Sequence, residues 1–366
     1  MILSICLGAK KDAVGDLYKD IMNNFPEKEK NIIIIPNAYN EKEFSNDFFK
    51  ILREKLTITK GKYNKIKGIY KLLKLINKLK KKYNIDNIYI HTEEYFSFLF
   101  LLTFFIKKNN TTLWFHDPIL HEGSPKILYL KRKIAYLTYL KYVKHLIISY
   151  NNVIKEIKND NSLQKISKKF KVLYLPQMKE MEFEDIKNNA SIKLKYDFIF
   201  YGRIEEYKGL DLLLEVFKDK ELQNIRLLIV GRGRKDKEIK DKIKNSINIT
   251  FINEYVPNRD LAKYIMESKF VILPYKTATG TQTIQIANYY NKMVLTTKVG
   301  CFLEYVKEGE NGYFIDNNTK EDLKKYILKY YNVKPENNQK EKIKKMYNKF
   351  DIENISLKLY NMIIKS

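Results

Sequence analysis

Short runs of β-branched and aromatic residues alternate along this chain with longer stretches whose apolar positions recur every three or four residues. In the first half the runs span 2–7, 31–35, 87–91, 112–116, 145–149 and 171–175. In the second half they span 197–201, 226–230, 247–252, 270–273, 293–296 and 312–315. Strand-length apolar runs separated by helical patterns imply parallel sheets covered by helices on both faces. The stretch 176–195, Asn-rich, mixed in charge and without clear period, reads as a linker between the two sets. The expected fold is therefore α/β, with two Rossmann-like domains facing across a cleft: residues 1–180 and residues 190–348. The closing segment 349–366 carries Ile352, Ile355, Leu357, Leu359, Ile363 and Ile364, and this apolar set predicts a helix packing back on the first domain. Open parallel sheets hold ligands beyond the C-terminal ends of their strands, so chemistry is sought in the loops there.

The second half carries the most specific series. Asp197-Phe-Ile-Phe-Tyr-Gly202-Arg203-Ile-Glu-Glu-Tyr-Lys208-Gly209 reads as a strand, a glycine turn and the start of a helix. Gly202 permits a tight turn, and Arg203 and Lys208 then project toward the crevice. A guanidinium, an ammonium and free backbone N–H groups form the set a nucleotide diphosphate needs. Glycines and basic residues are common in so basic a chain, so the segment is weak alone. It is followed by Val230-Gly231-Arg232-Gly233, by Leu273-Pro274-Tyr275, and by Gly280-Thr281-Gln282-Thr283 before a helix. Val299-Gly300, Glu304, Val306 and Asn311-Gly312 complete the order.

This ordered series, over about residues 197–330, resembles the C-terminal domain of family-four glycosyltransferases of GT-B fold, of the bacterial surface polysaccharide or glycolipid type. The resemblance implies a retaining, hexosyl-type transfer from a nucleotide diphosphate sugar, with no metal or other cofactor. It also implies an acceptor, saccharide or lipid-linked saccharide, bound by the N-terminal domain. Gly202, Arg203, Lys208, Gly231, Gly233, Gly280, Thr281, Gln282, Thr283 and Glu304 are the implied donor contacts. One departure stands out. Most members carry two glutamates with seven residues between them, facing the donor sugar and the ribose, and the matching positions here are Ala278 and Ile286. The hydroxyl-rich turn at 280–283 resembles a variant start of that helix. Its threonines either contact phosphate and sugar or simply cap the helix. The missing pair also admits an inactive scaffold that binds nucleotide or membrane.

The first half is less specific. Trp114-Phe-His116-Asp117-Pro118-Ile-Leu-His121-Glu122-Gly123 leaves a strand for a loop, and by resemblance His116 faces the donor sugar as a catalytic residue beside Arg203 and Lys208. The alternatives are a loop of mutually satisfied polar groups or, more weakly, a metal site on His116, Asp117 and His121. His91, before Thr92-Glu93-Glu94, is a candidate acceptor contact, and Gly8-Ala-Lys10-Lys11 is a weak candidate for the donor phosphate.

Composition adds a polyanion partner to this picture. The 366 residues carry a formal charge of +25, from 68 basic and 43 acidic residues. Such a field favours nucleic acid, anionic lipid or phosphorylated ligands. Lys, Asn, Ile and Tyr are frequent at the expense of Arg, Ala and Pro, the usage of an AT-rich coding sequence, so part of the lysine is surface filler. Residues 60–82 hold ten lysines and no acid, with Ile66, Ile69, Tyr70, Leu73 and Ile76 in one helical stripe. Residues 126–145 repeat the theme, with Lys126, Lys131, Arg132, Lys133, Lys141 and Lys144 among Tyr129, Tyr136, Tyr139 and Tyr142. Two readings stand: docking on an anionic membrane, or an apolar stripe on the sheet with its lysines in water. Nucleic acid is not expected, for want of a recognisable binding motif.

The apolar run 95–106 is about half the ~20 residues of a membrane span, and reads as a buried helix or an interfacial segment. The apolar start lacks a basic leader and reads as a strand rather than a signal peptide. Cys6 and Cys301 match no metal or redox spacing; two buried thiols or one disulfide are the options. The expected setting is cytoplasmic, with peripheral attachment at the inner face of the cell membrane.

Overall fold

The computed structural model describes residues 1–6, 13–35, 39–50, 62–92, 110–116, 118, 134–137, 139–156, 161–233, 236–333 and 337–365. The 95–106 run, the Gly8–Lys11 loop, Glu93, Glu94, Asp117, His121, Glu122, Gly123 and the basic residues of 126–133 lie outside them. The chain divides into two compact units, residues 1–176 with 352–366, and residues 177–351.

The first unit is built on seven strands: β1 (Ile2–Ile5), β2 (Asn31–Ile34), β3 (Phe49–Lys50), β4 (Asn87–Ile90), β5 (Asn110–Trp114), β6 (His145–Ile148) and β7 (Phe170–Val172). They pair in parallel in the order β3-β2-β1-β4-β5-β6-β7. Each of the six expected runs holds a strand. β3 adds a seventh, too short for an apolar pattern to reveal it.

Register assigns the faces. Ile2 pairs with Asn31 and Asn87, so Ile2, Ile33, Tyr89, Trp114 and Ile147 share one side. That side packs on Leu17, Tyr18, Ile21 and Met22 of the Ala13–Asn23 helix and on Ile352, Ile355, Leu359 and Ile363 of the Ile352–Ile364 helix. Ser356 Oγ fastens the two helices by donating to the Ile21 carbonyl at 3.2 Å. Leu357 and Ile364, read in the sequence as part of the apolar set, are exposed.

The opposite side holds Phe115, whose ring meets those of Tyr136 and Tyr139 edge-on at 6.0 and 5.8 Å. Handedness gives the reason for this division. The β1-to-β2 connection steps one way along the sheet, while β3-to-β4 and β5-to-β6 step the other way. Right-handed crossovers therefore lay the Lys62–Lys82 helix and the helical residues 134–137 and 139–142 on the face opposite Ala13–Asn23.

The second unit has six parallel strands: β8 (Tyr196–Tyr201), β9 (Leu227–Val230), β10 (Ile249–Ile252), β11 (Ser268–Leu273), β12 (Met293–Thr297) and β13 (Gly312–Ile315), in the order β10-β9-β8-β11-β12-β13. This is the doubly wound order whose switch point lies between β8 and β11. The stretch read as a linker is part of this unit. Tyr290 donates its hydroxyl to the Met181 carbonyl, Tyr289 to the Glu184 carboxylate, and the Lys187 ammonium lies 3.9 Å over the Tyr289 ring. Its two turns contribute one buried apolar residue each, Met181 and Ile186, too few to show a period. Both cysteines are buried free thiols.

Candidate functional site

At the switch point, the loops after β8, β9, β11 and β12 are stitched to one another by backbone contacts. Gly202 leaves β8 at φ +103°, and its N–H donates to the Val230 carbonyl at 3.0 Å. Ile204 N–H donates to the Arg232 carbonyl at 3.0 Å. A β-carbon on Gly231 would lie 2.1 Å from the Gly202 carbonyl oxygen, and one on Gly233 2.4 Å from that of Ile204. The sequence reading took this glycine pair for a backbone approaching a ligand; what it admits is the Gly202–Ile204 backbone. The β8 and β9 loops are thus held as one rigid turn.

The next contact fixes Lys208. The turn Glu206–Lys208 ends at Gly209, whose φ of +71° is left-handed and whose β-carbon would collide with the Pro274 carbonyl oxygen at 2.0 Å. Lys276 N–H donates to the Tyr207 carbonyl at 2.6 Å. Lys208 is consequently held between the β8 and β11 loops with 8% of its surface exposed. Its ammonium lies 5.4 Å from the center of the buried Tyr275 ring and 3.1 Å from where a β-carbon of Gly202 would stand. Burial pushes the Lys208 pKa down, and the nearby Arg203 adds to this, while Tyr207 and Glu205 pull it back up. Glu205, the carboxylate that acts on this ammonium, is itself ion-paired with Arg203 rather than with Lys208. A desolvated cation without an ion-paired carboxylate of its own is costly unless something anionic completes it.

Arg203 is largely exposed, its Nε 2.9 Å from Glu205 Oε1. An exposed pair of this kind is worth about 0.2–1 kcal/mol, little against a bidentate phosphate contact. On the other side of the switch point, Thr281 accepts from Thr283 N–H at 3.2 Å, and their hydroxyls lie 2.7 Å apart. The hydroxyl-rich turn thus starts the Thr283–Tyr289 helix, and Tyr201 buttresses it by donating to the Thr283 carbonyl at 2.7 Å. Gly280 is exposed, with Thr281 and Gln282 partly so. Glu304 is half-buried on the Phe302–Tyr305 helix beyond β12.

The remaining motif residues are structural. Asn311 is fully buried; its Oδ1 accepts from Lys307 N–H at 2.7 Å, and its Nδ2 donates to Asn288 Oδ1 and the Tyr305 carbonyl at 2.8 and 2.9 Å. Gly312 beside it leaves no room for a β-carbon against Val294.

The comparisons with known proteins fit this site. Residues 181–348 match the family model for glycosyl transferases group 1. Over that stretch the chain is similar to the group 1 glycosyl transferases. Among curated proteins, an uncharacterised glycosyltransferase of Methanocaldococcus jannaschii is 27% identical over 139 residues, 37% of this chain and 39% of that protein. The alignment thus spans about two-fifths of the relative's length. Among solved structures, Anabaena HepE in complex with UDP and glucose has a TM-score of 0.71 at 14% identity, over 100% of this chain and 99% of that one. WaaG, a glycosyltransferase involved in lipopolysaccharide biosynthesis, has a TM-score of 0.62 at 14% identity over the whole of both chains. At these identities the likeness is one of fold, and that fold is GT-B.

Within residues 181–348, Ala278 and Ile286 are buried. The Ala278 carbonyl accepts from Cys301 N–H at 2.9 Å, and a β-carbon on Gly300, at φ +46°, would stand 1.9 Å from the same oxygen. The first position expected to carry a glutamate is therefore closed by the loop after β12. Tyr275, read in the sequence only as part of a motif, proves to be the aromatic floor under Lys208. No periodicity could have marked it; only the β8–β11 adjacency brings the two together.

His91 and His116 of the first unit occupy the corresponding switch point, between β1 and β4, and the strand beside it. His91 is completely buried. Its Nε2 donates to the Val14 carbonyl at 3.1 Å, so its Nδ1 accepts from the Tyr89 hydroxyl at 2.5 Å. With both nitrogens engaged, His91 is not a surface contact for an acceptor, as the sequence suggested. Burial, reinforced by His116, holds its pKa well below the ordinary value. His116 donates from Nε2 to the His91 carbonyl at 2.8 Å and stacks on Trp114 at 5.6 Å, which fixes its tautomer and ring plane. Among the described residues no group of three His, Cys, Asp or Glu side chains has metal-site geometry.

Proposed function

We propose that the chain transfers a hexosyl group from a nucleotide diphosphate sugar to a saccharide or lipid-linked saccharide acceptor in cell-surface polysaccharide synthesis, with retention at the anomeric carbon. The observation that carries the reading is the desolvated Lys208 ammonium, without an ion-paired carboxylate of its own, at the switch point of a unit similar to the group 1 glycosyl transferases. In sugar transfer the bond from the anomeric carbon to the diphosphate oxygen breaks, and the departing diphosphate gains negative charge. Lys208, backed by the Tyr275 ring, and Arg203, released from Glu205, would take up that charge in a site from which water is partly excluded. Fixed cations aimed at developing charge are worth far more there than in bulk water, and this reading assigns the role to side chains rather than to a metal. UDP and glucose in the Anabaena HepE structure support a nucleotide donor, and the lipopolysaccharide role of WaaG supports a glycan acceptor.

A thermal-shift panel of UDP, GDP, ADP and CMP, with their sugars, tests the donor site. A ligand at about 100 times its Kd stabilises by roughly 2.7 kcal/mol. Silence from all of them would refute the site. The buried Ala278 and Ile286 favour a second reading, a scaffold that binds nucleotide without turnover. Slow donor hydrolysis, detected as release of nucleotide diphosphate, separates enzyme from scaffold. Proton NMR of the transferred anomer decides retention.

A further inference from the structure

We infer that the second unit pairs with a second copy of the chain through one edge of its sheet, strand β10 against strand β10 about a two-fold axis. The inference does not rest on the donor reading. It is carried by the backbone groups and side chains that this edge leaves uncovered.

The two sheets end in four strands, β3, β7, β10 and β13. An edge presents unpaired N–H and C=O groups, and proteins blunt such edges with lysines or cover them. Lys50 lies on β3 and the exposed Lys171 on β7. On β13, Val294 N–H donates to the Asn311 carbonyl at 3.2 Å, so Gly312 and Phe314 turn their backbone groups outward. These are occupied within the unit. The Gly312 carbonyl accepts from Gly309 N–H at 2.9 Å, and Phe314 N–H donates to Glu308 Oε2 at 2.9 Å.

Among the described residues β10 has neither device. Leu227 N–H donates to the Asn248 carbonyl at 2.8 Å and Gly231 N–H to the Ile252 carbonyl at 3.0 Å, so Ile249 and Phe251 point their backbone groups away from β9. Residues 245–253, Asn-Ser-Ile-Asn-Ile-Thr-Phe-Ile-Asn, hold no charged side chain in a chain that is 30% charged. Among the described residues, the two most exposed large apolar side chains stand at the ends of this strand, Ile247 at 90% and Tyr255 at 87%. An uncharged edge flanked by exposed apolar groups is the opposite of a protected one.

The occupant follows from the symmetry of the strand. Ile247 lies four positions before Phe251, and Tyr255 four positions after it. Antiparallel pairing centred on Phe251 therefore sets Ile247 of one copy opposite Tyr255 of the other, twice, with Phe251 against its own counterpart. Phe251, whose backbone groups face outward, can also exchange both hydrogen bonds with itself across a two-fold axis. A two-fold contact closes on itself, which separates this edge from one that seeds open-ended stacking. Charge adds selectivity: two copies carrying +25 each repel over most of their surface, and the uncharged strip is where their backbones can approach.

The test is sedimentation velocity of the full chain over about 1–100 µM, since self-association is read from its concentration dependence. The mass should rise from monomer to dimer and stop there, and amide exchange at Ile249 and Phe251 should slow over the same range. Ile247→Lys with Tyr255→Lys sets like charges opposite each other and should raise the dimer Kd about tenfold or more. Ile247→Lys with Tyr255→Glu sets opposite charges at the same places and should regain part of that loss, which only the register centred on Phe251 explains. Both positions are exposed, so unchanged circular dichroism is expected of both variants. A wild type that stays monomeric throughout, or that grows without limit beyond the dimer, would overturn the inference. So would a double-lysine variant that dimerises like the wild type, or two charge variants that weaken the dimer equally. Loss of nucleotide affinity in Tyr255→Lys with the dimer intact would assign that ring to a ligand and refute the pairing.

Discussion

Lys208→Met gives the sharpest test of the donor site, because it should move stability and binding in opposite directions. Methionine matches the length and bulk of the lysine stem, so the contact with the Tyr275 ring is kept and little cavity opens. What disappears is the ammonium of a residue only 8% exposed. Its pKa is lowered in the folded chain, chiefly by burial. The unfolded chain therefore holds that proton more tightly than the folded one. The resulting destabilisation is fully present below the folded pKa and relieved as pH rises toward the ordinary lysine value of about 10.4. The apo variant is accordingly expected to melt no lower than wild type at pH 7, and the difference between the two should shrink as pH rises toward the ordinary lysine value.

Binding should fall at the same time. A hydrogen bond to a charged group contributes about 1.5–3 kcal/mol, so the Kd for a nucleoside diphosphate should rise by roughly 10- to 150-fold. Differential scanning fluorimetry across pH, with calorimetric titration of UDP and GDP, reads both quantities. A variant that melts several degrees lower yet binds nucleotide as tightly as wild type would refute the reasoning, since Lys208 would then be a structural cation and not the anion's partner.

Other consequences concern the scaffold. Gly231→Ala and Gly233→Ala drive a β-carbon into the Gly202 and Ile204 carbonyls, so each should cost roughly 1–3 kcal/mol in denaturant unfolding and weaken nucleotide binding together with stability. Asn311→Ala strands the Lys307 N–H, the Asn288 Oδ1 and the Tyr305 carbonyl; at about 1–3 kcal/mol for a stranded buried group, it should destabilise strongly while leaving nucleotide Kd unchanged in the folded fraction. Leu359→Ala empties a fully buried position where the last helix meets the first unit, and about 2–5 kcal/mol should be lost, read as an earlier melting transition. His91 is neutral and buried with a depressed pKa, so the unfolded chain alone gains its proton as pH falls below about 6.5. Melting temperature should drop through that range, and His91→Gln should flatten the drop.

How much of this was legible in the sequence depends on the kind of signal. Twelve of the thirteen strands announce themselves as short β-branched or aromatic runs, because a strand buried on both faces favours apolar residues on both. β3, at two residues, is too short to carry such a pattern. The order of small motifs from Gly202 to Gly312 was equally visible, since turns need glycine at particular places. Their roles were not visible. Gly231 and Gly233 read as ligand contacts, and the close approach of two loops also requires them; Asn311 read as part of a motif and ties three backbone and side-chain groups together. Tyr70 fitted the helical stripe by spacing and yet faces outward, because the buried side of that helix is set by Leu72, Leu73, Ile76 and Leu79 against the sheet.

The sequence by itself determined the alternation of strands and helices, the net charge and the chemical inventory of the site, all of which are local properties read within a few residues. The tertiary structure alone decided which of those groups meet. Strand order sets Lys208 beside Tyr275, although 67 positions separate them in the chain. It also sets His116 against the carbonyl of His91. These are consequences of crossover handedness and sheet order, which depend on how the whole chain closes its core and leave no mark at any single position.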